Sequence, residues 1–162
     1  MTIEITDLSP VGGWLRTLIF NARRCFIAIV SHVHVDVLNL IDSMLELNNS
    51  VGVIVYSKLI SRSKEARLKF KRLYLLAEHH HYKYYLVDSS DYLIAAKGTA
   101  NLTPSELNDT TLNALDIVVS KPAEARNHYL FVKIANTFRN LVPHYADVCP
   151  RPCINLIEML LW

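Results

Sequence analysis

Cysteine is scarce in this chain of 162 residues, which has three copies, at Cys25, Cys149 and Cys153. Three cysteines are too few for the disulfide framework that holds small secreted domains together, so that class of protein is excluded. Cys149 and Cys153 are separated by Pro-Arg-Pro and have no second cysteine pair, so their spacing does not fit a zinc ribbon. We expect these two residues to belong to a packing motif of the tail or to an incidental bridge.

Long apolar segments are lacking as well. No stretch reaches the roughly 20 apolar residues that a membrane-spanning helix needs. The first ten residues contain Glu4 and Asp7 and do not show the basic start and apolar run of a signal peptide. These features predict a protein without membrane association and with a cytoplasmic location.

Internal repeats and low-complexity segments are also missing. The composition is 51% hydrophobic and 20% charged, which is ordinary for a globular protein with one sizeable core. We predict a single domain over residues 1–162, with its core at about 10–142 and an apolar C-terminal extension at 143–162. Because the extension is too apolar to remain in water, we expect it to pack on its own domain or on a partner chain.

A net charge of only +2 says little about partners, but the charge is unevenly distributed. Residues 58–83 hold eight lysines and arginines against two glutamates, a local net charge of +6. Within a predicted amphipathic helix at 62–78, Lys64, Arg67 and Lys71 share one face and are candidate substrate-binding residues. This basic stretch suggests a polyanion as partner, and the alternative is an ordinary solvated helix face.

Hydrophobic patterning predicts an α/β protein with the element order α-β-α-β-α-β-β-β-α. The predicted helices are at 10–23, 36–48 and 62–78 and from Pro122 onward, and the predicted strands are at 25–30, 51–56, 82–88, 92–96 and 112–119. Ser120 is the expected cap of the last helix. We expect the first three strands to be parallel and the later ones to form a hairpin and an antiparallel pair. The predicted result is a mixed β-sheet covered by helices on both faces.

The most informative polar residues follow one another around the predicted hairpin. His81 and Lys83 are two residues apart on a predicted strand, so their side chains should point to the same face of the sheet. Histidine titrates near neutral pH and can act as a nucleophile or an acid, and lysine can hold a phosphate oxygen. Gly98 permits a tight backbone, and Thr99 and Asn101 add a hydroxyl and an amide. Together they predict a phosphate site.

These residues resemble the signature of the phospholipase D superfamily, which is His-x-Lys, four residues, Asp, six residues and Gly-Ser/Thr-x-Asn. The segment His81-x-Lys83, followed by four residues and Asp88, matches the first part, and Gly98-Thr-Ala-Asn101 matches the second. Nine residues separate Asp88 from Gly98, and a turn at 89–91 can absorb the three extra ones. The aspartate role therefore falls to Asp88 or to Asp91.

The resemblance implies a metal-independent phosphodiesterase that needs no cofactor. Because the chain has one copy of a signature that the family uses twice, it also implies a homodimer with a shared site. In that scheme one His81 attacks phosphorus to form a phosphohistidine, and the other protonates the leaving oxygen. Lys83, Asn101 and Thr99 neutralise and orient the phosphoryl oxygens. Asp116 is the candidate that orients each imidazole.

Among short members of this superfamily with a single motif, nucleases are the commoner expectation, which favours DNA or RNA as substrate. Asp88 is expected to support the site from a structural position. Tyrosines near the motif offer stacking surfaces for bases, although strand alternation favours a core position for Tyr82 and Tyr84. The alternatives are a lipid or small phosphodiester substrate, or a catalytically silent binding module of the same fold.

A metal-dependent hydrolase is a further alternative. His32-Val-His34-Val-Asp36 is similar to the first metal motif of the metallo-β-lactamase fold, but Val37 stands where that motif has its last histidine. Asp36 also has a sufficient role as the N-cap of the following helix. We favour His34 as a substrate-binding residue at the mouth of the pocket, at the C-terminal end of a parallel strand.

Overall fold

The computed structural model describes residues 1–61, 69–110 and 112–162. The strands of the described residues are β1 (Thr2–Leu8), β2 (Cys25–His34), β3 (Val51–Ile60), β4 (Leu73–Ala77), β5 (Tyr84–Asp88), β6 (Leu93–Gly98) and β7 (Leu115–Ser120). They form one sheet in the order β1-β7-β6-β5-β2-β3-β4. Strand β2 lies inside this sheet and is buried along almost its whole length, as its continuous apolar sequence predicts.

The helices of the same residues are α1 (Val11–Phe20), α2 (Val35–Leu47), α3 (Pro104–Leu107), α4 (Pro122–Ala125), α5 (Tyr129–Leu141), α6 (Tyr145–Val148) and α7 (Arg151–Leu161). Helices α1 and α2 cover one face of the sheet and bury residues such as Leu15 and Leu38. Helices α5 and α7 cover the other face with residues such as Phe131 and Ile157. The predicted mixed sheet with helices on both faces is therefore confirmed.

Strand directions agree with the prediction in part. Strands β2 and β3 are parallel, and β5 and β6 are antiparallel, as predicted. The prediction that β5 runs parallel to β2 is wrong, because these two strands pair antiparallel. The physical reason is β4, which is parallel to β3 and ends at the same end of the sheet at which β5 begins. A connection of only six residues, 78–83, then turns the chain back.

The predicted helix at 62–78 is wrong in its second part. Residues 62–68, which include the candidates Lys64 and Arg67, lie outside the described residues. Leu73–Ala77 forms β4 on the edge of the sheet. A run such as Leu-Tyr-Leu-Leu-Ala suits either structure, and here the backbone hydrogen bonds to β3 select the strand.

Two further elements differ from the predictions. Strand β1, which pairs with β7 on the other edge of the sheet, was not predicted. The predicted long helix after Ser120 is divided into α4 and α5, and its N-cap is Lys121 instead of Ser120. The Ser120 side chain lies within hydrogen-bond distance of Thr2 Oγ1, at 2.9 Å, because β7 continues to this residue. His128 begins α5, and its Nδ1 atom accepts the Leu130 N–H at 3.1 Å.

The apolar extension packs on its own domain, which was one of the two expected outcomes. Helix α7 buries residues such as Ile154, Leu156 and Ile157 against the sheet. A disulfide joins Cys153 to Cys25 at the start of β2, so the bridge does not involve the neighbouring Cys149. Burial raises the pKa of the Cys149 thiol to about 11. Within the described ranges, no helix is long and apolar enough to cross a membrane.

Candidate active site

The connection 78–83 places the histidine–lysine motif across one end of the sheet. The Glu78 N–H donates to the carbonyl of Tyr56 in β3 at 2.9 Å, and Ser31 Oγ in β2 donates to the carbonyl of His80 at 3.4 Å. Strand β5 begins at Tyr84, so His81 and Lys83 precede it, and the predicted strand from position 82 is two residues too long. His81 and Lys83 therefore owe their placement to this anchored connection. They do not lie on a strand, so the alternation of strand residues does not account for it.

His80 is the residue that anchors the connection. Its ring is 5% exposed; Nε2 lies 3.1 Å from the Val55 carbonyl, and Nδ1 accepts the Tyr82 N–H at 3.1 Å. Both bonds are made by a neutral ring that carries its proton on Nε2. Burial lowers the pKa of His80 below its ordinary value, and the neighbouring His81 and Lys83 lower it further. The structure thus gives His80, which is not part of the motif, a specific anchoring contact in this connection.

His81 is held with its ring at the surface. Its side chain is exposed, and among the described residues it makes no side-chain hydrogen bond. The ring meets that of His79 edge to face, with centroids 5.3 Å apart. His79 Nδ1 in turn lies 3.1 Å from Ser57 Oγ. Because the His81 ring is exposed and makes no hydrogen bond to the described residues, it is accessible to a phosphoryl group.

Lys83 brings its ammonium group back toward the histidine and toward β2. Its Nζ atom donates to the carbonyl of His81 at 3.4 Å and to Ser31 Oγ at 3.5 Å. Both contacts are long, and both acceptors are neutral, so the lysine charge is not cancelled by them. Ser31 was not predicted as a site residue, and the sequence gives no signal for it beyond its place at the end of a buried strand.

The second half of the motif follows β6 and lies against the first. Gly98 donates its N–H to the Lys83 carbonyl at 3.2 Å, and a Cβ at this position would overlap the Ala114 carbonyl oxygen. The predicted need for glycine is thus explained by a close approach of two backbones. Thr99 Oγ1 accepts the Ala114 N–H at 3.2 Å, and the Tyr85 hydroxyl donates to the Ala100 carbonyl at 2.7 Å.

Asn101 connects this loop to the end of β2. Its Oδ1 atom accepts the N–H groups of Ser31 at 3.2 Å and of His32 at 3.0 Å. Among the described residues, Nδ2 of this amide has no hydrogen-bond partner, so it is available to an oxygen of a ligand. Asn101 and Lys83 both contact Ser31, which brings the two predicted phosphate ligands to one place.

Glu106 is a buried acidic residue that the sequence analysis missed. It is 6% exposed and accepts the Asn101 N–H and Asn113 Nδ2–H, each at 3.3 Å, as well as the Thr103 hydroxyl. These bonds hold the backbone of Asn101 in position. The sequence signal was Thr103-Pro-Ser-Glu106, a capping-box pattern at the start of α3.

A groove of about 350 Å³, here called the motif groove, contains the side chains of His81, Lys83 and Thr99. It is lined by His81, Tyr82, Lys83, Tyr84, Lys97, Gly98, Thr99 and Asp116. Lys97, which the sequence analysis also missed, lies in β6 opposite both Tyr84 and Asp116. The sequence feature that could have identified Lys97 is its position directly before the motif residue Gly98. Lys97 adds a second ammonium group to the groove, and its Nζ lies 5.9 Å from the centre of the Tyr129 ring.

Tyr82 and Tyr84 differ in exposure. Tyr84 is 9% exposed and belongs to the core, as predicted, whereas Tyr82 is 44% exposed, so its predicted core position is wrong. The Tyr82 ring is stacked with those of His80 and Tyr84, at centroid distances of 5.9 and 5.4 Å. The cause is the connection before β5, which does not continue the alternation of the strand.

Asp116 lies in the motif groove, but the expected contact with His81 does not form within the chain. The Asp116 Oδ1 atom accepts the N–H of Asp7 at 2.9 Å. Asp7 stands at an irregularity of β1 and has a positive φ of 54°. The unpredicted edge strand therefore engages the carboxylate that we expected to orient the imidazole.

Two other predicted residues, Asp88 and Lys71, lie away from the motif. Asp88 ends β5 at the opposite end of the sheet, where its Oδ1 atom accepts the Ser90 N–H at 2.9 Å. Asp88 lies four positions along the strand from Tyr84, a distance of about 13 Å. Lys71 precedes β4 at that same far end and pairs with Glu46 at 3.3 Å. Both residues therefore lie at the end of the sheet away from the motif groove, because β4 and β5 run in opposite directions.

His34 has a structural task in place of the predicted one. It is 8% exposed, and its Nδ1 atom accepts the Asp36 N–H at 3.1 Å, so His34 is the N-cap of α2 and the prediction of Asp36 as N-cap is wrong. This bond occupies one ring nitrogen, and the neighbouring His32 is exposed. In the described part of the chain, no group of three or more histidine, cysteine, aspartate or glutamate residues is arranged to hold a metal ion.

No protein-family model and no curated protein matches the sequence. Solved structures do match. The fold is similar to that of NucT from Helicobacter pylori, with a TM-score of 0.54 and 15% identity over 88% of this chain and 96% of that chain. It is similar to that of Nuc from Salmonella typhimurium, a phospholipase D family member, with a TM-score of 0.54 and 15% identity over 91% and 94%.

Polyphosphate kinase from Porphyromonas gingivalis is similar as well, with a TM-score of 0.51 and 7% identity over 81% of this chain and 22% of that one. The matches to Nuc and NucT extend over nearly the whole of both chains. They show that this chain has the phospholipase D/nuclease-like α/β fold.

Proposed function

We propose that the protein is a metal-independent phosphodiesterase that cleaves nucleic acid, DNA or RNA, through a phosphohistidine intermediate on His81. The observation that carries the proposal is the meeting of two separate sequence segments at Ser31. Lys83 contacts its hydroxyl, and Asn101 accepts its N–H, so a lysine and an amide meet at Ser31, and the Lys83 ammonium group also contacts the backbone carbonyl of His81. Positive charge and a hydrogen-bond donor are the groups that stabilise a phosphoryl group during transfer.

The proposed reaction has two steps. A ring nitrogen of His81 attacks phosphorus, and the bond to the leaving oxygen breaks as that oxygen takes a proton from a second imidazole. The second imidazole then removes a proton from water, the water oxygen attacks phosphorus, and the phosphorus–nitrogen bond breaks. Lys83, Lys97 and Thr99, which line the motif groove, would hold the phosphoryl oxygens through both steps together with the Asn101 amide, which meets Lys83 at Ser31.

The second imidazole is proposed to be His81 of the partner subunit. The chain contains one copy of the motif, and a twofold axis next to the motif groove would bring two copies together. His79 of the same chain is the competing candidate, because its ring lies 5.3 Å from that of His81.

Nucleic acid is proposed as the substrate because of the basic character of residues 58–83 and the fold shared with Nuc and NucT. The first test is a panel of labelled single-stranded DNA, double-stranded DNA and RNA, together with a small phosphodiester and phospholipid vesicles, all in EDTA. Cleavage of a nucleic acid supports the proposal. Cleavage of the vesicles or the small diester alone selects the lipid or small-molecule alternative, and binding of nucleic acid without any cleavage selects the silent module.

The shared site is tested by mixing wild-type chains with His81→Ala chains under conditions that exchange subunits. If each site needs both copies of His81, the mixed dimers are inactive, and activity falls with the square of the wild-type fraction. A linear fall would contradict the shared site. If the fall is linear and His79→Ala is also inactive, the second imidazole is His79 of the same chain. Light scattering on the same samples measures whether the active species is a dimer.

The cytoplasmic location remains a prediction. The Cys25–Cys153 disulfide bears against it, because the cytosol keeps most thiols reduced. Counting free thiols in protein isolated from its native compartment under thiol-blocking conditions tests this directly. One free thiol per chain indicates an oxidising compartment, and three indicate a reducing one.

A further inference from the structure

The end of the sheet opposite the motif groove has a second cavity, of about 390 Å³, here called the arginine groove. It is lined by Arg23, Arg24, Asn49, Val51, Arg72, Asp88, Pro152 and Asn155. These residues come from the starts of β2 and β3, the approach to β4, the end of β5 and the first turns of α7. The volume is within the range of sites that hold small ligands, about 300–1,000 Å³.

Neutral amides, and not carboxylates, position two of the arginines. Arg23 Nη1 donates to Asn48 Oδ1 at 3.1 Å, and Arg72 Nη2 donates to Asn49 Oδ1 at 3.2 Å. Asn48 is itself fixed, because its Nδ2 group donates to the carbonyl of Phe20 at 2.8 Å. The guanidinium groups are therefore oriented without losing their charge.

The charge of the groove is strongly positive. Among the described residues, Arg23, Arg24 and Arg72 form no ion pair. Asp88 is the one carboxylate in the lining, and it is 8% exposed and accepts the Ser90 N–H through Oδ1. Three guanidinium groups against one largely buried carboxylate leave an excess of positive charge that a bound anion would neutralise.

We propose that the arginine groove is a second anion site, which binds a small phosphorylated ligand such as pyrophosphate or a nucleoside polyphosphate. Guanidinium groups bind phosphate oxygens through paired N–H donors, and groups that are already oriented lose less conformational entropy on binding. Asn155 adds an amide from α7. The site lies at the starts of β2 and β3, whereas the motif groove lies beyond the opposite ends of the same region of the sheet, so the two are separate.

The test measures binding of pyrophosphate and of ATP to the full chain by calorimetry, on a Lys83→Ala background that weakens the motif groove. One ligand is expected per chain. Arg24→Ala should weaken binding about tenfold or more, which is the size of a charge-assisted hydrogen bond. Arg24→Lys should retain part of the affinity. Asp88→Asn should tighten binding, because it removes the opposing charge but keeps an acceptor for Ser90.

Lys133→Ala is the matched control, since it removes one exposed positive charge from α5. If Lys133→Ala and Arg24→Ala lose the same binding affinity, the effect comes from the overall charge of the protein and the proposed site is wrong. Absence of binding would overturn it as well. A single-stranded oligonucleotide serves as the third probe. If it displaces pyrophosphate and ATP does not bind, the groove contacts a nucleic-acid strand, and the proposal of a small ligand is wrong.

Discussion

Asn101 and Ser31 are joined by a hydrogen bond of 3.2 Å from the Ser31 N–H to Asn101 Oδ1, and the same oxygen accepts the His32 N–H at 3.0 Å. The oxygen of this amide thus completes the end of β2, and its Nδ2 group has no hydrogen-bond partner among the described residues. The structural and the chemical roles of Asn101 are carried by different atoms, so two substitutions separate them.

Asn101→Asp keeps the oxygen acceptor but removes the Nδ2 donor and adds a negative charge. We expect it to unfold at nearly the wild-type denaturant concentration while its cleavage rate falls about 10²- to 10³-fold, as for loss of a transition-state donor. Asn101→Ala should lose activity and also about 1–3 kcal/mol of stability, because two N–H groups lose their acceptor. Urea unfolding and cleavage assays measure both. Equal stability of the two variants would contradict the anchoring role.

Gly98 provides a second test with an internal control. A Cβ at position 98 would overlap the Ala114 carbonyl, so Gly98→Ala should destabilise the fold by about 1–3 kcal/mol and reduce activity. At Gly13, in α1, a Cβ would have no atom within 4 Å. Gly13→Ala should therefore be neutral or should stabilise by about 0.5–1 kcal/mol through its helix propensity. Thermal unfolding compares the two, and an equal response would show that the close approach at Gly98 is not tight.

The fold class and the position of the motif were predictable because they depend on local patterns. Continuous apolar runs identified β2 and β3, and two strand-like segments separated by turn residues at 89–91 identified the β5–β6 hairpin. The direction of β5 was not predictable in this way. It depends on whether Leu73–Ala77 is a strand, and a short apolar run fits a strand and a helix equally well.

The candidate site was predictable for residues in the motif and not for those supplied from a distance. Lys83 and Asn101 meet at Ser31, and Lys83 contacts the His81 carbonyl, because the motif spans a hairpin that returns to the same end of the sheet. Ser31 and the edge strand that engages Asp116 are brought in by tertiary pairing, which leaves no short-range signal. Asp88 was expected near the site because it belongs to the same short motif as His81. The motif continues into the extended strand β5, which places Asp88 at the other end of the sheet.

The stability of the protein should depend on pH through His80. Burial lowers the pKa of this imidazole, so the unfolded chain binds the proton more readily than the folded one. The stabilisation is present above about pH 6.5, the ordinary pKa of histidine, and is lost as the pH falls below it. The Tm should therefore fall more between neutral and acid pH in the wild type than in His80→Gln. The exposed His144→Gln should follow the wild type, and equal slopes in all three proteins would exclude His80 as the cause.

The Cys25–Cys153 disulfide closes a loop between residues 128 positions apart and ties α7 to the start of β2. Cys153→Ala should lower the stability by about 2–4 kcal/mol under non-reducing conditions. Cys149→Ala, which leaves the bridge intact, should change it much less. Addition of a reductant should lower the Tm of the wild type and of Cys149→Ala but not that of Cys153→Ala. A wild-type Tm that ignores the reductant would indicate that the bridge does not stabilise the fold.

The central claim is that His81 performs metal-independent phosphodiester cleavage, and the most direct measurement is the cleavage rate of labelled nucleic acid in EDTA. Wild type and His144→Ala should cut at the same rate, and His81→Ala should be slower by about 10³-fold or more, as expected for loss of a nucleophile. An alkaline quench of the wild-type reaction should trap one product strand on His81, joined through a phosphorus–nitrogen bond to its terminal phosphoryl group. Cleavage that survives in His81→Ala, or that EDTA abolishes in the wild type, would contradict the account.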